Sequence, residues 1–196
     1  MQTKDIQKQP KNQIRLLVTT GILMAITLIM KAVFYFIPIV NGYGLELYIV
    51  GYVYGLLMIR DAKWVWTFGI LTPWLLMVIP PSIANFYDLL LEYVLALYIF
   101  LPIIFVSKYI DWSDQKLSPR KSLGTQMAIF GSCMIVGIAI KLFIHTVAGI
   151  LWWTPGEWWA SFIFNAPIYG VTLAVALPVS LLVYKPLMKI RSSQIQ

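Results

Sequence analysis

The sequence predicts an all-α membrane protein with six transmembrane helices and both termini in the cytoplasm. Of its 196 residues, 60% are apolar and only 12% are charged, whereas roughly a quarter are charged in soluble domains. Apolar runs long enough to cross a bilayer recur along the chain. The basic residues cluster in alternate connections between these runs, as they do in polytopic membrane proteins.

Six apolar segments alternate with polar or Pro- and Gly-containing stretches. The first ends at Pro38 and has no small-residue cleavage pattern before it, so we predict a retained span and not a signal peptide. The second is short for about 30 Å of hydrocarbon. The predicted spans are residues 14–37, 45–59, 64–79, 85–106, 123–152 and 158–182.

The connections follow from residue types that favour turns and polar loops. We predict a single transmembrane domain at residues 14–190, between cytoplasmic tails at residues 1–13 and 191–196. The longest predicted polar loop is residues 107–122. Shorter turns are predicted at residues 41–44, 60–63, 80–81 and 154–156.

The distribution of basic residues sets the orientation. Thirteen of the fifteen Lys and Arg residues lie in the two tails, near them, or in the loops 60–63 and 107–122. With six spans these segments share one side, which the positive-inside rule makes cytoplasmic. This pattern explains the net charge of +7 without any nucleic acid partner. The exceptions are Lys31, which we predict to extend along the lipid toward the interface, and Lys141.

The acidic residues are distributed differently, because four of them belong to the outer end. An outer surface with carboxylates and no cations favours a cationic or hydrogen-bond-donating ligand from outside. We predict Glu46 and Glu157 to be solvated loop acids, with a gating role as the alternative. Asp88 is typical of an acidic residue in the first turn of a helix. The fourth is Glu92.

Polar residues within the fifth span lie along one helical face. Lys141, His145, Gly149 and Trp153 are spaced four apart, so they lie on one side of a helix at about 6 Å per step. His145 lies about two turns from the outer end of its span, as do Glu92 and Asn165 of neighbouring spans. Ionisable groups in lipid are costly unless they face a cavity or a partner. We therefore predict one outward-opening pocket.

Each of these residues also has a purely structural interpretation. The tryptophans can form an interfacial aromatic belt, although Trp153 shares the face of His145. Lys141 and Glu92 can simply neutralise each other. His145 can be a packing residue, and Gly149 a site of close helix packing.

These residues give the chain a family resemblance. It resembles the substrate-binding S-components of energy-coupling-factor (ECF) vitamin transporters, most closely the thiamine-specific branch. The matching pieces are Leu91-Glu92-Tyr93, then Lys141, His145, Gly149 and Trp153, then Ser161 and Asn165, together with the basic turn at residues 58–63.

The resemblance implies a subunit of a bacterial cell membrane that captures thiamine. It delivers the vitamin through a shared membrane coupling subunit driven by two cytoplasmic ATPases. Glu92 would neutralise or hydrogen-bond the ligand, and Trp153 would stack on its cationic ring. The resemblance also implies polar ligand contacts from Tyr93, Lys141, His145 and Asn165.

The resemblance further implies that Gly21 and Ala25 dock the coupling subunit, because small residues four apart let helices approach closely. Packing within the protein is the alternative for this pair. The chain departs from the thiamine branch at Ala160, where an aromatic residue is expected. It also has Tyr43 and Glu46 in place of tryptophan after the first span. Hydroxymethylpyrimidine or pyridoxine therefore remains an alternative ligand.

Other functional classes are less well supported. A membrane enzyme using Glu92 and His145 would need a nucleophile beside a base, and the sequence contains no HExxH or GxSxG motif. We predict no catalytic residues, no metal and no cofactor. An assembly subunit would not explain polar residues at matching depth. A secondary carrier would be expected to show a repeat.

Overall fold

The computed structural model describes residues 8–35, 38–40, 43–79 and 85–193. Helices dominate, which agrees with the predicted all-α class. A short antiparallel hairpin pairs β1 (Pro38–Val40) with β2 (Tyr43–Gly44). The helices are α1 (Lys8–Tyr35), α2 (Tyr48–Met58), α3 (Ala62–Leu76), α4 (Phe86–Leu89), α5 (Ala96–Tyr98), α6 (Ile103–Lys116), α7 (Pro119–Trp152) and α8 (Trp158–Ser193).

Four stretches are long and apolar enough to cross a membrane, so this is a multi-pass membrane protein. They are Gln13–Tyr35, Phe86–Ser113, Ser122–Trp152 and Trp158–Arg191. The second and third predicted spans correspond to α2 and α3, which have only 11 and 15 residues. The count of six spans therefore stays a prediction. The turn at residues 41–44 lies partly outside the described residues, and the turn at 80–81 lies entirely outside them.

The helix α2 occupies the centre of the protein, and all its residues are buried. Its Gly51 and Gly55 permit this position. A Cβ at Gly51 would meet Thr27 and Met30 of α1 at 3.1 Å, and one at Gly55 would overlap the Phe68 ring of α3. Close approach at glycine is a common way to pack membrane helices. Because α2 is enclosed by protein, its short length does not expose its ends to hydrocarbon.

The predicted loop at residues 107–122 is wrong, because it is helical except at Leu117–Ser118. Pro119 begins α7 at a position that suits proline. Polar side chains of this region form hydrogen bonds with one another inside the protein. They therefore do not need a solvent-exposed loop to satisfy them. Gln126 donates to the hydroxyls of Ser113 and Ser122, each at 2.6 Å. The sixth span was predicted to end at residue 182, but its helix, α8, continues to Ser193.

The fourth predicted span is not a uniform α-helix. Asn85 caps α4 by accepting from the backbone N–H groups of Tyr87 and Asp88. A π-helical segment, Leu90–Leu95, then separates α4 from α5. Such segments are rare and occur frequently at functional sites. This one contains Glu92 and Tyr93.

Candidate ligand-binding pocket

A cavity of about 460 Å³ lies at the end of the bundle opposite the basic connections. This volume falls within the range of small-molecule sites. It is enclosed by the C-terminal end of α7, the N-terminal half of α8, the π-helical segment and the connection after β2. Its lining comprises Gly44, Glu46, Glu92, Tyr93, His145, Gly149, Trp153, Thr154, Ala160, Ser161, Phe164, Asn165, Ile168 and Tyr169.

The structure places six of the seven sequence-predicted ligand residues in this lining. They are Glu92, Tyr93, His145, Gly149, Trp153 and Asn165. The seventh, Lys141, is fully buried and lies behind the wall, one helical turn deeper than His145. Its contacts are to lining residues.

The Lys141 ammonium group joins three separate parts of the chain. Its Nζ lies 2.9 Å from His145 Nε2, 3.2 Å from the Glu92 carbonyl oxygen and 3.3 Å from Glu46 Oε2. An ammonium group has three hydrogens to donate; this one hydrogen-bonds the His145 nitrogen and the Glu92 carbonyl and forms an ion pair with Glu46. Lys141 therefore fixes the pocket wall. Its carboxylate partner is Glu46, whereas the sequence suggested Glu92.

The Glu92 carboxylate faces the opposite nitrogen of His145, with 3.4 Å between Oε1 and Nδ1. With Lys141 donating to Nε2, a neutral imidazole would carry its hydrogen on Nδ1, toward Glu92. The ring of Tyr169 lies 5.0 Å from the imidazole, centroid to centroid. His145 is thus held on three sides.

Lys31 is buried, so the prediction that it extends along the lipid is wrong. Only 4% of its surface is exposed, and its Nζ donates to the carbonyl of Leu76, the last residue of α3. Nζ also lies 4.0 Å from the centroid of the Tyr93 ring. A carbonyl at a helix C-terminus and an aromatic face both stabilise an ammonium group. These partners make the interior the better location.

Small residues bring α7 and α8 together beside the cavity. Ser161 donates to the carbonyl of Thr146 at 2.8 Å. Asn165 Nδ2 donates to the carbonyl of Ser161 at 2.9 Å and lies 3.4 Å from that of His145. A Cβ at Gly149 would overlap the Ser161 hydroxyl. Gly149 therefore permits close packing and also lines the cavity. Within the described part of the chain, no group donates to the amide oxygen of Asn165.

Trp153 stands at the rim, where α7 ends. Its backbone N–H donates to the Gly149 carbonyl at 2.9 Å, and the next residue, Thr154, donates to the same oxygen at 2.7 Å. This turn carries the indole over the cavity, and half of the residue's surface is exposed. The position suits stacking on a ligand ring. Trp158 and Trp159 are exposed and do not line the cavity.

Glu46 and Tyr169 are among the lining residues that the sequence did not predict as ligand contacts. Glu46 is not a solvated loop acid, because only 14% of its side chain is exposed and it pairs with Lys141. The hairpin before α2 carries it over the pocket. Tyr169 follows Ser161 and Asn165 at intervals of four, which is a helical-face spacing that predicts a shared wall. No spacing in the sequence indicates that Glu46 pairs with Lys141.

The charges around the pocket favour a monocation. Glu46 and Glu92 contribute carboxylates, as does the buried Asp88 one turn before Glu92, against the ammonium groups of Lys31 and Lys141. Counted as formal charges, these three carboxylates and two ammonium groups sum to one negative charge. In a poorly solvated site this excess attracts a ligand with one positive charge.

Gly21 and Ala25 lie on the outward face of α1. Both are exposed, and no atom lies within 4 Å of a Cβ built at Gly21. Packing within the protein therefore does not account for Gly21. The same face carries Ile22, Ile26 and Ile29, each at least 45% exposed.

Comparison with known proteins gives a likeness of fold. No family model and no curated protein matches this sequence. A solved structure of ThiT from Listeria monocytogenes matches with a TM-score of 0.64 at 21% sequence identity, covering 91% of this chain and 96% of that chain. At this identity the match establishes the architecture. The chain has the fold of ThiT, as the resemblance to thiamine S-components predicts.

Proposed function

We propose that this protein is the substrate-capture subunit of an ECF-type importer in a bacterial cell membrane. It binds thiamine from the extracellular side and delivers it through a coupling subunit driven by two ATPases. The observation that carries the proposal is the enclosed outer pocket, with two carboxylates, a buried lysine–histidine pair and an aromatic rim. ThiT, whose fold the chain shares, is a thiamine S-component.

The lining suits the separate parts of thiamine. Its thiazolium ring carries a permanent positive charge, which gains from an aromatic face such as Trp153 and from nearby carboxylates. Its aminopyrimidine ring needs hydrogen-bond donors and acceptors. The Glu92 carboxylate and the Asn165 amide oxygen can accept from the amino group.

The alternative ligands and functions differ in charge and chemistry. Hydroxymethylpyrimidine and pyridoxine lack a permanent cation, so the negative excess of the pocket favours thiamine over them. A membrane enzyme using Glu92 and His145 would need an activated nucleophile. The Ser161 hydroxyl donates to a backbone carbonyl and not to a base, which favours binding over catalysis.

The direct test is a titration of the purified protein with thiamine, followed by tryptophan fluorescence. We expect quenching with sub-micromolar affinity. Glu92→Gln and Trp153→Ala should each weaken binding by at least about 1–2 kcal/mol, the magnitude of a charged hydrogen bond or a desolvated cation–π contact.

The matched control is Trp159→Ala, because Trp159 is exposed and outside the lining. Its affinity should equal that of the wild-type protein. A vitamin panel that gave binding of pyridoxine or hydroxymethylpyrimidine but not thiamine would replace the substrate. Wild-type affinity in both Glu92→Gln and Trp153→Ala would place binding elsewhere and contradict the proposal.

A further inference from the structure

A second cavity lies at the opposite end of the protein, where the basic connections are. Its volume is about 250 Å³, and it lies between the first turns of α1 and the turn that joins α2 to α3. Among the described residues that line it, none carries a carboxylate. The lining consists of Arg15, Leu16, Thr19, Thr20, Met58, Ile59 and Arg60.

The polar groups of this cavity are suited to an anion. Arg15 forms no ion pair with any residue that the structure describes. Thr20 is only 3% exposed, and its hydroxyl has no hydrogen-bond partner within the described chain. An unsatisfied buried hydroxyl is costly, and a bound acceptor would satisfy it. Guanidinium groups with a hydroxyl donor are typical ligands of phosphate.

The charges next to the cavity leave a positive excess. Arg60 pairs with Asp111, which also binds Arg191 through two contacts at 2.8 and 3.1 Å. One carboxylate thus serves two guanidinium groups, and Arg15 adds a third cation. The Arg60 charge is therefore only partly compensated.

Aromatic residues place this end of the protein at the membrane interface. Trp64 Nε1 donates to the Gln13 side chain at 3.1 Å. Trp112 is half-exposed and packs against Tyr109 at 5.4 Å between ring centroids. Tryptophan and tyrosine concentrate at the level of lipid headgroups. The cavity is at the same end, so its mouth is expected at the level of the phospholipid headgroups.

We propose that this cavity binds the headgroup phosphate of an anionic phospholipid of the inner leaflet. Arg15 and the Thr20 hydroxyl hold the phosphate, and Arg60 supplies further positive charge. Basic pockets between helices on the cytoplasmic side are suited to such headgroups. The exposed side chains of Ile14, Leu17 and Val18 on α1 offer an apolar surface for the acyl chains. This proposal does not depend on the function of the outer pocket.

Native mass spectrometry of the intact protein tests the proposal. The protein is purified with a mixture of phosphatidylglycerol and phosphatidylcholine, and the retained lipids are counted. We expect one phosphatidylglycerol to be retained in preference. Arg15→Gln should lower its retention about fivefold, the effect of one arginine at an anionic surface. Lys108→Gln removes an exposed cation of the same side outside the cavity and should leave retention unchanged.

Thermal unfolding of Thr20→Val separates a lipid ligand from a structural role. Without anionic lipid, valine should raise the melting temperature, because it removes an unsatisfied hydroxyl. With phosphatidylglycerol, the wild-type protein should gain stability through binding, and the variant should gain less. A third arm replaces the lipid with inorganic phosphate.

Three outcomes would overturn the proposal. Equal retention of the two lipids would show that no anionic headgroup is selected. Protection by inorganic phosphate equal to that by phosphatidylglycerol would assign the site to a soluble anion. Normal lipid retention by Arg15→Gln, together with lost co-purification of the coupling subunit, would assign the cavity to an acidic protein partner.

Discussion

The ammonium group of Lys141 has three polar partners within 3.3 Å, from three different parts of the chain. The spacing of residues 141, 145, 149 and 153 predicted which helical face matters, because helix geometry is local and regular. It could not predict Glu46 as the carboxylate partner, because that pairing depends on the path of the hairpin. The burial of Lys31 was missed for the same reason. Its acceptor is a backbone carbonyl, and any residue can supply one.

Removing the Lys141 ammonium group should destabilise the protein and impair the pocket. In Lys141→Met the Glu46 carboxylate loses its ion-pair partner. Breaking a buried ion pair by removing one partner costs ~3–5 kcal/mol. We expect the lower end of this range, because Glu46 also faces the cavity. The apparent melting temperature of the purified protein measures the loss.

The double variant Glu46→Gln with Lys141→Met is the informative control. Removing the stranded carboxylate should restore part of the lost stability. Lys108→Met, which changes an exposed lysine, should melt like the wild-type protein. A Lys141→Met variant as stable as the wild type would contradict the central role of this group.

The π-helical segment shows how the geometry of an element changes the direction of the side chains that it carries. A π-helical turn accommodates an extra residue within a helix, so it alters the direction of Glu92 and Tyr93 relative to a regular α-helix. Sequence periodicity predicted a span here but not its irregularity, because the apolar residues continue across it. The short α2 is the converse case. Its length suggested a poor span, and its burial against α1 and α3 explains why a short helix suffices.

The outward face of α1 is the docking surface that we propose for the coupling subunit. Gly21→Leu and Ala25→Leu should lower vitamin uptake by cells while thiamine binding by the purified subunit persists, because bulky side chains prevent close helix approach. Uptake of labelled thiamine and fluorescence titration measure the two properties separately.

Gly170→Leu is the matched control for this surface. Gly170 is exposed on α8, and no atom lies within 4 Å of a Cβ built there. This substitution should leave uptake intact. Normal uptake in both α1 variants would eliminate the proposed docking role.

The molecule separates its charges between two ends. Four carboxylates and the larger cavity lie at one end, and the basic connections, with Asp61, Asp111 and the smaller cavity, lie at the other. This polarity was predictable from the sequence, because charge counts in connections need no knowledge of helix order. The arrangement of the helices around α2 could not be predicted, because hydropathy does not reveal which helix faces pack together.

Membrane orientation is testable with single cysteines in a Cys133→Ala background. Glu157→Cys should react with an impermeant maleimide in intact cells, because its position is exposed at the outer end. Lys63→Cys and Lys116→Cys, also exposed, should react only after permeabilisation. Labelling in the reverse order would invert the orientation and exclude capture of vitamin from outside.

The contacts of Lys141 also bear on how the chain enters the membrane. A ribosome makes Glu46 and the Glu92 carbonyl long before it makes the lysine that binds them, and N-terminal parts generally fold first. When α7 leaves the translocation machinery, the segments that carry Glu46 and Glu92 are already within the bilayer. A charge that would be costly alone in lipid can therefore be matched as soon as it arrives. If Lys141 were synthesised before Glu46 and Glu92, its ammonium group would enter the bilayer without these partners.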